Sequence, residues 1–341
     1  MSEQKKHTLI TGATGFLGGN ILKALSTHPS IECIAACRNP EKLSDSFSGE
    51  IRVGNLTDPQ YRREVVRNID VICHAGTWAS MWSHRKLEQE RFFEPTLDLI
   101  DQAISQNVKR FLMPSTVAIG EVTRKHTPHN DSSPKKQTGF WPHLDYLIEV
   151  DDYMRENRGR GTQMITMRLG HFVGSGNRLG TLPALVPRLK TYLVPWLAGG
   201  KSRFPLVADT DLGNAFALAT TTDGLDAYES FNICGPDFPT LREVVTYIAS
   251  QAGVPKPIYS VPYAAGYAFG WLMEILNPIL PGSSPFLTRS IIHLCEDWLC
   301  PNDYAYKKLG YSPRKNWRKA IDEHLEDLSK EGYPWPQLAQ Q

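Results

Sequence analysis

Eight residues near the start, Thr11-Gly12-Ala13-Thr14-Gly15-Phe16-Leu17-Gly18, have the types and spacing to cradle a pyrophosphate. The β-type run Thr8–Thr11 leads in, and Phe16–Leu25 follows with helical apolar spacing. That strand–turn–helix context is what such a glycine triplet requires. Gly12 permits the tight turn, Gly15 lets backbone approach phosphate, and Gly18 lets the helix pack on the strand. Thr14, Phe16 and Leu17 complete the turn, at the positive end of the helix dipole. The competing explanation is an ordinary tight strand–helix turn. The second strand, Ile31–Cys37, ends at Arg38-Asn39-Pro40-Glu41-Lys42 with no acid at its tip. Where an acid would hold a ribose 2′-hydroxyl, Arg38 is placed to fork onto a 2′-phosphate. This favours NADP(H) over NAD(H); the alternative is a solvated loop charge.

The elements that must position these groups alternate. Strand-like runs occur at Ile51–Val53, Val71–His74, Phe111–Met113 and Met164–Arg168. Helical spacing occurs up to Val65–Ile69, over Leu87–Gln106 and over Leu144–Arg155. Alternation of this kind predicts an α/β fold, a Rossmann doubly wound parallel sheet with a smaller C-terminal substrate-binding lobe. The expected division is a dinucleotide domain over 1–170, with a return near 205–235, and a lobe over 171–341. In that lobe Gly174–Gly180 reads as a loop, and Asp209–Thr222, Thr240–Gln251 and Tyr263–Ile275 read as helices. Thr240 and Glu243 have the spacing of a capping box.

The chain has 341 residues and a net charge of +1, which gives no basic stripe for nucleic acid. The six cysteines form no C-x-x-C pair, which points away from zinc and toward a reducing cytoplasm. His126 and His129, in a polar Pro-containing loop, read as surface residues, and no metal is expected. Met1–His7 is polar and lacks the apolar core of a signal peptide. The apolar run Pro257–Met273 is short and broken by Pro and Gly. A buried helix is expected at Tyr263–Ile275, contact with a membrane surface being the alternative, with no firm membrane association.

The sequence resembles an extended short-chain dehydrogenase/reductase over nearly its whole length. Thr11–Gly18 matches that family's cofactor motif. Gly54-Asn55-Leu56-Thr57-Asp58 resembles the adenine-contacting turn, with Asn55 where the family usually has Asp. Asp70–Gly76 resembles the fourth strand and the backbone along the cofactor, at His74, Ala75 and Gly76. Arg168–Gly174 resembles the family's R-P-G-x-x-Y-G run, with Leu169 for Pro, and Phe231–Gly235 resembles a later strand. The order of Pro262, Pro285–Arg289 and Ala305–Pro313 is similar to the 3β-hydroxysteroid dehydrogenase and dihydroflavonol-reductase branch.

The resemblance implies a catalytic Tyr, a Lys four residues later, a Ser or Thr and an Asn. No Lys occurs between Lys136 and Lys190. Placed without gaps, the family pattern sets His143 at the Tyr position and Leu147 at the Lys position, with Phe92 for the Asn. Ser115 keeps its type. Three readings stay open. His143, Tyr146 and Ser115 carry redox chemistry with substitutes, in the reductive direction; or the site binds NADP(H) without family-type turnover; or another loop supplies the acid. Each group also has a structural alternative: a surface His143, a packing Tyr146, a turn-capping Ser115.

Trp78 and Trp82, in a loop after the fourth strand, and Trp141 ahead of the catalytic helix suggest apolar pocket walls, with His171 beside them. They point to a bulky hydrophobic carbonyl or hydroxyl substrate, or simply fill the lobe's core. A homodimer is compatible with the family resemblance.

Overall fold

The computed structural model describes residues 5–279 and 284–330. Part of the polar start Met1–His7, and the span of the second lobe beyond 330, lie outside the described residues. Seven parallel strands form one sheet: β1 (Lys6–Thr11), β2 (Ile31–Cys37), β3 (Glu50–Val53), β4 (Val71–His74), β5 (Arg110–Thr116), β6 (Gln163–Leu169) and, later, β10 (Tyr228–Ile233). Their order is β10-β6-β5-β4-β1-β2-β3. The short strands β7 (His171–Val173), β8 (Trp196–Leu197), β9 (Leu206–Ala208) and β11 (Ser260–Val261) make two small pairs, β7 with β9 and β8 with β11.

Both faces of the sheet are covered, and the sequence alternates accordingly. Leu9, Ile34, Ile72 and Phe111 point into one buried cluster, whereas Ile10, Ala35, Cys73 and Leu112 point into another. Neighbouring strand residues face opposite sides, so a strand buried on both faces reads as a continuous apolar run. The first cluster is closed by α2 (Pro59–Val65), α4 (Glu94–Ser105) and α5 (Pro142–Glu156). The second is closed by α1 (Phe16–Leu25), α7 (Asp209–Thr221) and α11 (Asp303–Leu309). Phe111 is fully buried, and truncating such a ring to Ala costs about 3–5 kcal/mol.

A third cluster builds the lobe, from α6 (Thr181–Leu189), α8 (Leu241–Gln251) and α12 (Trp317–Lys330) against β7 and β9. The capping box expected at Thr240 and Glu243 is formed. The remaining helices are α3 (Arg85–Glu88), α9 (Tyr263–Leu276) and α10 (Arg289–Leu294).

Four expectations are corrected. The helix expected to close over Val65–Ile69 stops at Val65, after starting at Asp58, whose carboxylate accepts the Gln60 N–H. The continuous helix expected over Leu87–Gln106 is α3, one π turn (Gln89–Phe93) and α4. Pro95 has no N–H to offer the preceding turn, and a widened turn accommodates that loss. His129 is not on the surface: it is 6% exposed and packs on Trp298. Helix α9 is not a buried helix. Only Tyr263, Gly266 and Gly270 are buried, and Phe269, Trp271, Leu272 and Ile275 are exposed.

A candidate dinucleotide cleft and candidate catalytic residues

The C-terminal ends of the parallel strands form one edge. β1 lies between β2 and β4 there, so strand order diverges from β1 in both directions. Ligands of open α/β sheets sit at this switch point. The turn leaving β1 is sterically committed. Gly12 has φ +63°, and a Cβ there would lie 2.7 Å from the Ala75 carbonyl oxygen and the Gly76 Cα. A Cβ at Gly18 would collide with the Gly12 carbonyl. The Gly15 N–H donates to Gly12 O at 2.9 Å, and no side chain caps α1. Among the described residues the Phe16 and Leu17 N–H groups take no acceptor, which leaves them for an anion. Gly15 is exposed, and Thr14, Phe16 and Leu17 are half-buried.

The other wall of the turn is held from below. Thr11 Oγ1 pairs with His74 Nδ1 at 2.8 Å and accepts the Gly76 N–H at 3.0 Å. His74 Nε2 pairs with Thr96 Oγ1 on α4 at 3.2 Å. Burial pushes the His74 pKa down to about 4, so a neutral imidazole braces β1, β4 and α4. Its side chain is therefore scaffold, and only the backbone from Ala75 to Gly76 borders the turn. A Cβ on Gly76 would lie 2.7 Å from Leu56 Cδ1, which brings the turn after β3 to the same place. Asn55 is exposed there, and its side chain accepts the Thr57 N–H at 3.1 Å. Arg38 is exposed just past β2, with no hydrogen bond or ion pair among the described residues.

The candidate catalytic residues lie at the other end of the cleft. Ser115 sits near the end of β5, paired in register with Arg168 of β6. It is 7% exposed and its Oγ has no hydrogen-bond partner. An unpaired buried hydroxyl costs about 1–3 kcal/mol, a state Ser115 shares with Thr8, Thr162, Ser202 and Ser230 elsewhere in the fold. His143 lies in the first turn of α5, and its Nδ1 is 3.1 Å from Glu88 Oε2. Glu88 is fully buried, and its other oxygen accepts the Ser80 N–H at 2.5 Å. The His143 ring also packs 4.9 Å from Phe92 on the π turn. Tyr146 stacks on Phe93 at 4.5 Å beneath the Arg85 guanidinium, and its hydroxyl makes no hydrogen bond to a described residue. Arg85 pairs with Asp145, which also accepts the Thr138 and Gly139 N–H groups. Leu147, four residues after His143, is buried.

The loop over this end carries Trp78 and Trp82, both half-buried and both edge-on to His84. Ser83 and His84 both adopt left-handed backbone (φ +49° and +59°), at about 1–3 kcal/mol each. Trp141 is 4% exposed and donates its indole N–H to Ser80 O at 2.9 Å. It anchors that loop from beneath. His171 stacks on Phe204 at 3.9 Å, and burial pushes its pKa down to about 3. Its Nε2 has no partner. No group of three or more His, Cys, Asp or Glu able to hold a metal occurs among the described residues. Glu88 was not singled out from the sequence. The available signal was its i,i+4 spacing to Phe92, which puts a carboxylate on the same helix face as the residue in the Asn position.

With the geometry established, three kinds of likeness bear on it. The model of the NAD dependent epimerase/dehydratase family matches residues 8–234. A ketoreductase of Stigmatella aurantiaca, acting on 4-hydroxy-2-methyl-3-oxo-4-farnesyl-3,4-dihydroquinoline-1-oxide, is 22% identical over 323 residues, 92% of this chain and 94% of its own. The decarboxylating sterol-4-alpha-carboxylate 3-dehydrogenase of Dictyostelium discoideum is 21% identical over 93% of this chain and 99% of its own. Among solved structures, the dTDP-glucose 4,6-dehydratase DesIV of Streptomyces venezuelae with NAD bound superposes with a TM-score of 0.73, at 18% identity, over 97% of this chain and 99% of that one. That likeness is one of fold.

Proposed function

The chain belongs to the NAD dependent epimerase/dehydratase family, a family of nicotinamide-dependent enzymes, and from that premise we propose that it is an NADP(H)-dependent reductase of a bulky hydrophobic carbonyl compound. The observation that carries the reading is the pairing of a complete phosphate turn with an unpartnered, buried Ser115 hydroxyl at the same sheet edge. The residues fit the dinucleotide: backbone packing at Gly12 and Gly18 leaves no room for a Cβ, which closes the turn tightly, and the Phe16 and Leu17 N–H groups take no acceptor among the described residues. Bound there, the cofactor would supply hydride to a carbonyl carbon. The residues in contact with it under this reading are Gly12, Gly15, Phe16, Leu17, Asn55, Leu56 and Gly76, with Arg38 on a 2′-phosphate.

The protein's own part is to polarise oxygen and deliver one proton. Ser115 Oγ–H donates to the substrate oxygen. His143 replaces the usual Tyr: Glu88 holds its Nδ1–H, so Nε2–H is the proton that passes to the alkoxide. The buried Glu88 carboxylate fixes the ring by its contact with Nδ1. Tyr146, clamped between Phe93 and Arg85, shapes the floor and donates no proton. Trp78 and Trp82 offer the apolar wall. The farnesyl and sterol compounds in the relatives' names are consistent with that class. One observation favours a second reading, cofactor binding without family-type turnover: Leu147 puts a buried methyl-bearing side chain where the family has an ammonium.

Calorimetric titration with NADPH and NADH, on the wild type and Arg38→Ala, tests the cofactor. Tight NADPH binding that weakens in the variant supports the reading. Failure of both nucleotides to bind contradicts it.

A further inference from the structure

Among the described residues fourteen large hydrophobic side chains are exposed, and nine of them fall in two short stretches, 192–193 and 258–279. The first group is Tyr192, Leu193, Ile258 and Tyr259, at 43–75% exposure. They are held together by β8 pairing with β11 and by the Tyr259 hydroxyl donating to Leu193 O at 2.6 Å. The second group is the outer face of α9. Its inner stripe, Gly266 and Gly270, lets Leu197 and the start of α10 come close: Cβ atoms there would lie 2.9 Å from Leu197 Cδ2 and 3.0 Å from the Arg289 N. The opposite face presents Phe269, Trp271, Leu272 and Ile275, 43–53% exposed, and Ile279 follows at 79%. Lone exposed apolar residues need no explanation, but a continuous set on one helix marks a contact surface.

The chain segments that build this surface are one-sided in charge, although the chain as a whole is balanced at +1. Stretches 182–208 and 252–295 contain Arg188, Lys190, Lys201, Arg203, Lys256 and Arg289 against a single acid, Glu274. Glu274 is neutralised by Arg289 at 2.6 Å. Lys190, Lys201 and Lys256 make no ion pair among the described residues, and Lys201 and Lys256 are exposed. No helix of the described residues is long and apolar enough to cross a membrane. An uncharged helix face bearing Trp271, on a helix whose inner stripe packs on Leu197 of β8, together with exposed Tyr192 and Tyr259 and unpaired lysines in the chain around β8 and β11, has the chemistry of a helix lying in a headgroup layer. We propose that this face docks the protein peripherally on an anionic lipid surface.

The surface adjoins the candidate site. Tyr267 of α9 packs edge-on to Phe140, 5.9 Å away and two residues before α5. Ser290 of α10 donates to Met81 O in the loop carrying Trp78 and Trp82. Helices α9 and α10 therefore join the docking face to that loop through their inner contacts. The surface itself does not depend on the reductase chemistry, so vesicle binding and turnover are separate readouts.

The test is co-sedimentation of the full chain with vesicles of phosphatidylcholine, with and without phosphatidylglycerol, at low and high salt. Binding to the anionic vesicles, weakened by salt, is expected. Trp271→Glu combined with Ile275→Glu should lower it by about tenfold or more. Each of Lys190→Gln, Lys201→Gln and Lys256→Gln should lower only the anionic component, about fivefold per lysine. Unchanged near-UV circular dichroism confirms that the variants are folded. Absence of binding to either vesicle overturns the proposal. So does a wild-type dimer, without vesicle binding, that Trp271→Glu dissociates, since a second copy would then cover the face.

Discussion

The two ends of the dinucleotide cleft are built by different physics. At the phosphate end the backbone does the binding, and side chains are excluded: Gly12 and Gly18 leave no room for a Cβ. At the proposed catalytic end side chains would do the work, with His143, Leu147 and Phe92 in place of the family's residues on the gapless placement. The first end tolerates almost no substitution but asks for little chemistry. At the second, Glu88 and Phe92 pack against His143, and Phe93 against Tyr146. A fold of this kind separates the holding of a cofactor from the choice of reaction.

The comparison breaks most severely at the turn. Gly18→Val forces a branched side chain into the Gly12 carbonyl, and destabilisation of about 4 kcal/mol or more is expected. Urea unfolding measures it; a loss under about 1 kcal/mol would show that the turn is not sterically committed. At the other end, His143→Phe keeps the ring packing on Phe92 and removes the proton. Turnover should fall by about 100- to 10,000-fold, with NADPH affinity and stability preserved.

Glu88→Gln sharpens the same point. It keeps the shape and removes the negative charge beside His143, and kcat should fall by about ten- to hundredfold with little change in KM. An equal loss in stability and rate would make Glu88 only a packing residue.

The pH dependence of stability separates the two ends again. Burial holds the folded His74 pKa near 4, below its ordinary 6.5. Between those values the unfolded chain binds a proton that the folded chain refuses. Stability is therefore full above pH 6.5 and falls as pH drops toward 4, by at most about 3 kcal/mol from this group. His171 continues the loss toward pH 3. Urea midpoints between pH 7 and 4 should show the slope, and His74→Gln should flatten it. At Arg38 the expected effect is confined to binding of one nucleotide: Arg38→Ala should weaken NADPH binding by about ten- to hundredfold and leave NADH unchanged.

The sheet and the turn were legible because backbone geometry imposes residue types. Glycines at Gly12, Gly15 and Gly18 and the continuous apolar runs of β2 and β4 admit few other structures. The catalytic end was legible only in outline. Its partners meet through space, and the Glu88–His143 contact joins residues separated by fifty-five positions. No periodicity encodes such a pair. Composition also misled at α9: an apolar helix in a chain of ordinary charge reads as core, yet Phe269 and Trp271 face solvent. The same apolar count describes a buried helix and a docking surface. His129 erred in the opposite sense, because a polar Pro-containing loop hid its packing on Trp298.

The measurement that bears most directly on the account is single-turnover oxidation of bound NADPH by a bulky hydrophobic ketone, followed by loss of reduced-nicotinamide absorbance in the wild type and in His143→Phe. The account predicts hydride transfer in the wild type and its suppression in the variant, with NADPH still bound. Equal rates in the two proteins, or NADPH bound by the wild type and never consumed across a panel of such ketones, would contradict it.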